Sequence, residues 1–179
     1  MLHVLVCVIL AMALAACQSA PVDPAQVRAN MLNDLGIDPA TVVHQDHARY
    51  AIGSGTVRPV AFNSGLYVQT ATELHLLRNK DGGKALERDL SFPLAKLQYA
   101  TLETWSFTHL KQLQLGSPSG MIVVNFHETP DAMAGDGDKA DSAYAALQKS
   151  NVRSGPPSGR VWPEQAVKPY SEVYPVTVK

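Results

Sequence analysis

Between residues 57 and 127 the apolar side chains stop recurring at helical spacing and fall into short runs divided by turn-forming residues. A chain punctuated this often cannot build long helices there and reads as a series of antiparallel strands. Seven segments are expected: 57–62, 66–70, 73–78, 90–93, 97–103, 107–115 and 121–127. Leu66, Val68, Leu74 and Leu76 supply the alternation in two of them. Asn63-Ser64-Gly65 closes the first, and Asn79-Lys80-Asp81-Gly82-Gly83 forms a polar turn. Pro93 confines its segment to an edge or a strand end, and Gly116-Ser117-Pro118-Ser119-Gly120 joins the last two as a hairpin loop.

Helical spacing governs the flanks. Asp23 can cap free amides while Pro24 occupies the first helical position, where its missing N–H costs nothing. Val27, Met31 and Leu35 follow on one face, and Gly36 ends the run as a left-handed cap. Ile37-Asp38-Pro39 reads as a second start, with Val42 and Val43 as its apolar residues and a short helix or turn expected there, within an N-terminal helical segment over residues 24–55. Beyond a Gly- and Asp-rich loop, Ala140, Ala143, Tyr144 and Leu147 share one face of a helix expected over 138–150. Residues 151–179 form a Pro-rich tail in which 173–178 could add an edge strand.

The expected class is therefore α+β: a small antiparallel β-barrel or strongly bent sheet of about seven strands, a capping helix, and a short N-terminal helix. In this order the chain resembles the pleckstrin-homology-like barrel. The residues carrying the resemblance are Gly65-Leu66-Tyr67-Val68-Gln69-Thr70, Glu73-Leu74-His75-Leu76-Leu77, Phe92-Pro93-Leu94 and the helix with Tyr144 and Leu147. The resemblance implies that the last helix plugs one open end of the sheet over residues 56–150. Another small barrel or sandwich with a packed helix satisfies the same pattern.

Residues 4–13 are an uncharged apolar run, of the roughly 7 to 15 residues that a secretory signal needs. Leu14-Ala15-Ala16-Cys17 follows it directly and resembles the lipobox of bacterial lipoproteins, although Met1-Leu2-His3 has neither Lys nor Arg. The resemblance implies removal of residues 1–16 between Ala16 and Cys17, acylation of Cys17, and a tether over 17–23. Cys7 would leave with the leader, so Cys17 would be the one remaining cysteine and no disulfide could form. By the same resemblance, Gln18-Ser19 after Cys17, with no Asp, implies the periplasmic face of the outer membrane.

Charge and motifs limit the remaining chemistry. A formal net charge of −1 supplies no long-range field for nucleic acid. His44 and His47 would share a helical face, and His127-Glu128 could add a ligand, which gives a metal-binding or hydrolytic alternative. Asp136-Gly137-Asp138-Lys139-Ala140-Asp141 lacks the glycine and terminal glutamate of a calcium loop and reads as helix capping. No serine sits centrally in a Gly-x-Ser-x-Gly elbow. Trp105 and Trp162 are candidate partner contacts. Arg78, Lys80, Lys84 and Arg88 are interrupted by Asp81, Glu87 and Asp89 and read as a solvated loop. The expectation is a lipid-anchored, non-enzymatic binding or assembly module that needs no cofactor and meets the membrane through its lipid and an envelope protein as partner.

Overall fold

The structure, a computed structural model, describes residues 23–53, 61–104, 111–129, 132 and 135–156. Two compact units divide at Pro39. In the first, helix α1 spans Pro24–Asp34, and the Asp23 carboxylate accepts the Ala25 amide at 2.9 Å. Its other end closes as the glycine predicted: Gly36 has φ +69°, its amide donates to Asn33 O, and the Ile37 amide donates to Leu32 O. This is a Schellman cap, with the accompanying apolar pair, Leu32 and Ile37, both buried.

A 3-10 turn at Pro39–Thr41, which begins on the last residue of the first unit, leads into strand β1, Val42–Ile52, of the second. The helical reading of 24–55 is thus correct only up to Asp34. Val42 and Val43 begin a strand because their β-branched chains favour extended backbone, and Tyr50, Ala51 and Ile52 continue it. The remaining strands are β2 (Asn63–Thr70), β3 (Glu73–Lys80), β4 (Ala85–Pro93), β5 (Tyr99–Thr104), β6 (Lys111–Ser117) and β7 (Gly120–Phe126). The expected strand at 57–62 lies mostly outside the described residues, and Ala61 and Phe62 are not in a strand. β4 is longer than expected, pairing with β3 from Ala85 to Pro93 across an irregularity between Leu76 and Leu77. The 116–120 loop shrinks to Pro118-Ser119, since Ser117 pairs with Gly120.

All seven strands form one antiparallel sheet in the order β4-β3-β2-β1-β7-β6-β5. Among the described residues it is not closed: β4 and β5 end the order. Tyr50, Tyr67, Leu74, Leu76, Leu113, Ile122 and Phe126 bury on one face together with Ala140, Ala143 and Leu147 of helix α2, Gly137–Lys149. Tyr67 pairs with Leu76 and Gln69 with Leu74, so Leu66 and Val68 occupy the opposite face beside His75 and Leu77. The alternation of Leu66 and Val68 with Leu74 and Leu76 therefore does not put all four on one face. Both faces are buried here, and a strand buried on both sides gives the pattern nothing to select.

The β5 edge is covered by the chain leaving α2. The Ala100 amide donates to Arg153 O at 2.7 Å, the Gly155 amide donates to Ala100 O at 2.9 Å, and the Thr101 hydroxyl donates to Gly155 O. Tyr99 packs so closely on Gly116 and Gly155 that a Cβ at either would stand 2.2 or 2.4 Å from its ring. Gly65 is tighter still, because a Cβ there would lie 1.8 Å from the Leu77 carbonyl oxygen, a backbone atom. Gly65→Ala should lower the urea midpoint by the equivalent of about 3 kcal/mol or more, since the strands must separate to admit it. Leu147→Ala, which opens a cavity without a clash, should cost about 2–5 kcal/mol. Equilibrium urea unfolding of the two variants checks both figures.

Candidate functional site

β7 stops opposite Ala48, halfway along β1. The chain then turns: the His127 amide donates to His47 O at 3.0 Å and the Asp136 amide donates to Phe126 O at 2.8 Å. Asp136 caps α2, its carboxylate accepting the amides of Asp138 and Lys139 at 3.1 Å. One turn in, Lys139 reaches back to the sheet, where its ammonium lies 2.9 Å from the Asp46 carboxylate and donates to His127 O at 3.1 Å. The α2 start is in this way tied to the first half of β1.

His44 lies on the same strand face as Asp46, with Nε2 3.3 Å from Oδ2. Its ring meets Tyr67 and Phe126 edge-on at centroid distances of 5.8 and 6.0 Å, and those two rings meet each other at 5.2 Å. Burial lowers the His44 pKa below the usual histidine value, Asp46 opposes that shift, and Lys139 adds to it. Desolvation exceeds the help from Asp46, so the imidazole is neutral at pH 7. Further along, the Tyr67 hydroxyl donates to Gln69 Oε1 at 3.1 Å and Gln69 Nε2 donates to Ser150 Oγ at 3.3 Å, a buried polar link from β2 to the end of α2.

Between these two ties lies a cleft of about 740 Å³, within the usual range of ligand sites, about 300–1,000 Å³. Val43, His44 and Ala71 line its sheet side; Ser142, Ala146 and Lys149 line its helix side. Val43 is 55% exposed, and β1 is irregular there, with no β2 partner given to Val43. The wall is half polar and half apolar, with one cationic side chain at its rim.

A second constellation sits on the opposite face of the sheet. His75 Nδ1 is 2.8 Å from Ser91 Oγ, and His75 Nε2 is 3.6 Å from Glu73 Oε2. Antiparallel pairing sets Ser91 directly across from His75, and the period of two sets Glu73 beside it. The order hydroxyl, imidazole, carboxylate resembles a hydrolase relay, but His75 is only 3% exposed. Burial lowers its pKa, against the effect of Glu73 and with that of Arg88. As arranged, it is a cross-strand tie that holds a neutral histidine.

The sequence candidates separate accordingly. His44 and His47 lie three apart on a strand, which sends them to opposite faces, so the helical spacing that suggested a shared metal does not hold. His47 and His127 are neighbours through their backbones. Among the described residues no group of three or more His, Cys, Asp or Glu is placed to hold a metal ion. Ala16, Cys17, Trp105 and Trp162 lie outside the described residues. Sequence reading missed Asp46 with Lys139, because 44–55 was expected to be helical, and missed Ser91 with His75, because the register needed the full length of β4. The Glu73-x-His75 spacing on an expected strand was the one signal available. Arg78 pairs with Glu87 at 3.3 Å with both side chains exposed, in keeping with a solvated loop region.

No protein-family model and no curated protein matches this chain. Among solved structures it is similar to the linker-DH/PH domains of p115-RhoGEF, at TM-score 0.41 and 15% identity, over 74% of this chain and 34% of that one. A mutant of the same DH/PH domains gives TM-score 0.37 and 12% identity, over 61% of this chain and 30% of that one. The hSac2 domain from the human phosphoinositide phosphatase Sac2 gives TM-score 0.47 and 10% identity, over 80% and 98%. The chain spans about a third of the length of the RhoGEF chains it matches.

His44 and His75 both have folded-state pKa values below their unfolded value of 6.5. The unfolded chain then binds more protons in the window between the two values, so stability is full above about pH 6.5 and falls as pH drops through that window. Urea midpoints measured from pH 7.5 to pH 5 should decline. The slope should flatten in His75→Gln and again in His44→Gln with His75→Gln.

Proposed function

We infer that this chain is a lipid-anchored binding or assembly module of the bacterial envelope, built on a pleckstrin-homology-like scaffold. The scaffold reading is supported by the strand order, in which β1 links a four-stranded run to a three-stranded one, and by a last helix seated on their shared core. The binding reading is supported by the cleft beside β1, formed by an exposed apolar residue, small helix side chains and one cation.

The observation that carries the anchoring is the uncharged run ending in Leu14-Ala15-Ala16-Cys17. A diacylglyceryl thioether plus an N-acyl group supplies three chains. At about 0.8 kcal/mol per buried methylene, two chains already hold firmly where one binds reversibly. Gln18-Ser19 behind the cysteine favours the outer membrane's periplasmic face. The module would present its cleft to an envelope protein within reach of a tether of a few residues.

Mass spectrometry of the native protein should show an N-terminus at Cys17 carrying acyl groups, and Cys17→Ala should move the protein to the soluble fraction or leave the leader uncut. The urea midpoint of the globular part should not change. A free thiol at Cys17 in the membrane-bound native protein would refute the anchor.

A further inference from the structure

Strand β1 is longer than its partner on one side. β2 accompanies it from Val42 to Tyr50, whereas β7 pairs only with residues 48–52. The last bond on the β7 side runs from the His127 amide to His47 O. Alternate residues of an antiparallel ladder direct N–H and C=O to the same side, so the next groups on this side belong to Gln45. Among the described residues no strand pairs with Gln45 there. Val43, two residues before Gln45 at the irregularity in β1, is the exposed apolar residue on the wall of the cleft.

We propose that the cleft receives an extended peptide of a partner protein, added as a strand along the β1 edge at Val43 and Gln45, with an acidic side chain directed to Lys149. The proposal names the site and partner chemistry of the binding module and rests on that reading. Strand addition draws affinity from backbone groups and selectivity from side-chain positions that alternate along the guest. Gln45 supplies the backbone groups and Val43 the apolar contact. Charge complementarity selects an acid: Arg78, Lys111 and Lys139 pair with Glu87, Asp141 and Asp46, while among the described residues no carboxylate lies within 4.0 Å of Lys149. Ser142, Ala145 and Ala146 keep the helix wall shallow, which leaves room for a backbone to approach.

The first test uses the full lipidated chain in native envelopes, with a photoreactive side chain replacing Val43 or, as control, Ile52, which is 41% exposed on the same strand. Illumination should join a second protein to position 43 and not to position 52, through one contiguous segment containing Asp or Glu. Adducts with lipid alone, with residues 157–179 of this chain, or in equal yield at both positions would each overturn the proposal. If a partner crosslinks at other surface positions while position 43 stays silent, the cleft assignment falls and the binding-module reading stands. Silence at every surface position removes both.

The second test uses the purified full chain and a blocked heptapeptide alternating valine and threonine around one central glutamate. Binding should slow amide exchange at Gln45. Lys149→Glu should weaken it about tenfold, the scale of a partly desolvated charge pair, and a lysine in place of the central glutamate should restore it. Unchanged exchange at Gln45, or a loss in Lys149→Glu that the lysine peptide does not repair, overturns the proposal. Lys149 is an exposed residue in the last turn of α2, and an unchanged urea midpoint shows that the variant is folded.

Discussion

The pairing of β1 with β7 carries this fold. β1 to β4 follow one another across the sheet, and so do β5 to β7, but the two runs meet only where residues 48–52 lie against 122–126. Sixty-nine residues, 53–121, separate the two segments, so the chain entropy of closing that loop must be offset by what the contact buries. Ala48, Tyr50, Ile122, Val124 and Phe126, all nearly inaccessible, are what it buries. The short reach of this pairing also creates the site. Because β7 ends at Phe126, the chain can turn, α2 can start against the Phe126 carbonyl, and half of β1 is left beside a helix instead of a strand.

How much of this could be read in the sequence depended on whether one face or two were buried. α1 and its cap were legible because Asp23, Pro24 and Gly36 each suit one backbone role, and α2 was legible within a residue at each end because its apolar face is simple. β2 and β3 were located but not oriented, since Leu66, Tyr67 and Val68 are all buried and a one-residue choice of face carries no penalty in the pattern. β1 was missed outright. His44, Gln45, Asp46 and His47 interrupt its apolar residues, and one of the polar side chains that hid the strand, Asp46, ties it to Lys139 of α2. The site was therefore least legible where its chemistry is densest. Strand count agreed with expectation even though β1 stood outside the series expected.

The buried polar groups follow one rule. His75, Gln69 and Tyr50 are held by polar neighbours from other elements, Tyr67 by Gln69 and His44 by Asp46 of their own strands, and burial makes His44, His75, Tyr50 and Tyr67 prefer their neutral forms; Tyr50 and Tyr67 have pKa values raised well above the usual phenol value. The Tyr50 hydroxyl also donates a hydrogen bond to Asp89 of β4 at 3.0 Å, and Asn63 donates to the same carboxylate oxygen at 2.9 Å. These contacts fix register where the apolar pattern is ambiguous, because a strand shifted by one residue would leave each group desolvated and unpaired.

The parallel bridge that Ser154 makes with Ala100 has a consequence for how this domain tolerates change. An uncovered outermost strand is a template for aggregation, and among the described residues β5 is shielded from that fate by the four residues after the helix and its last turn. Sequence drift, fusion or proteolytic trimming beyond Pro156 would leave this guard in place, whereas a cut only a few residues earlier would bare the sticky flank of the sheet.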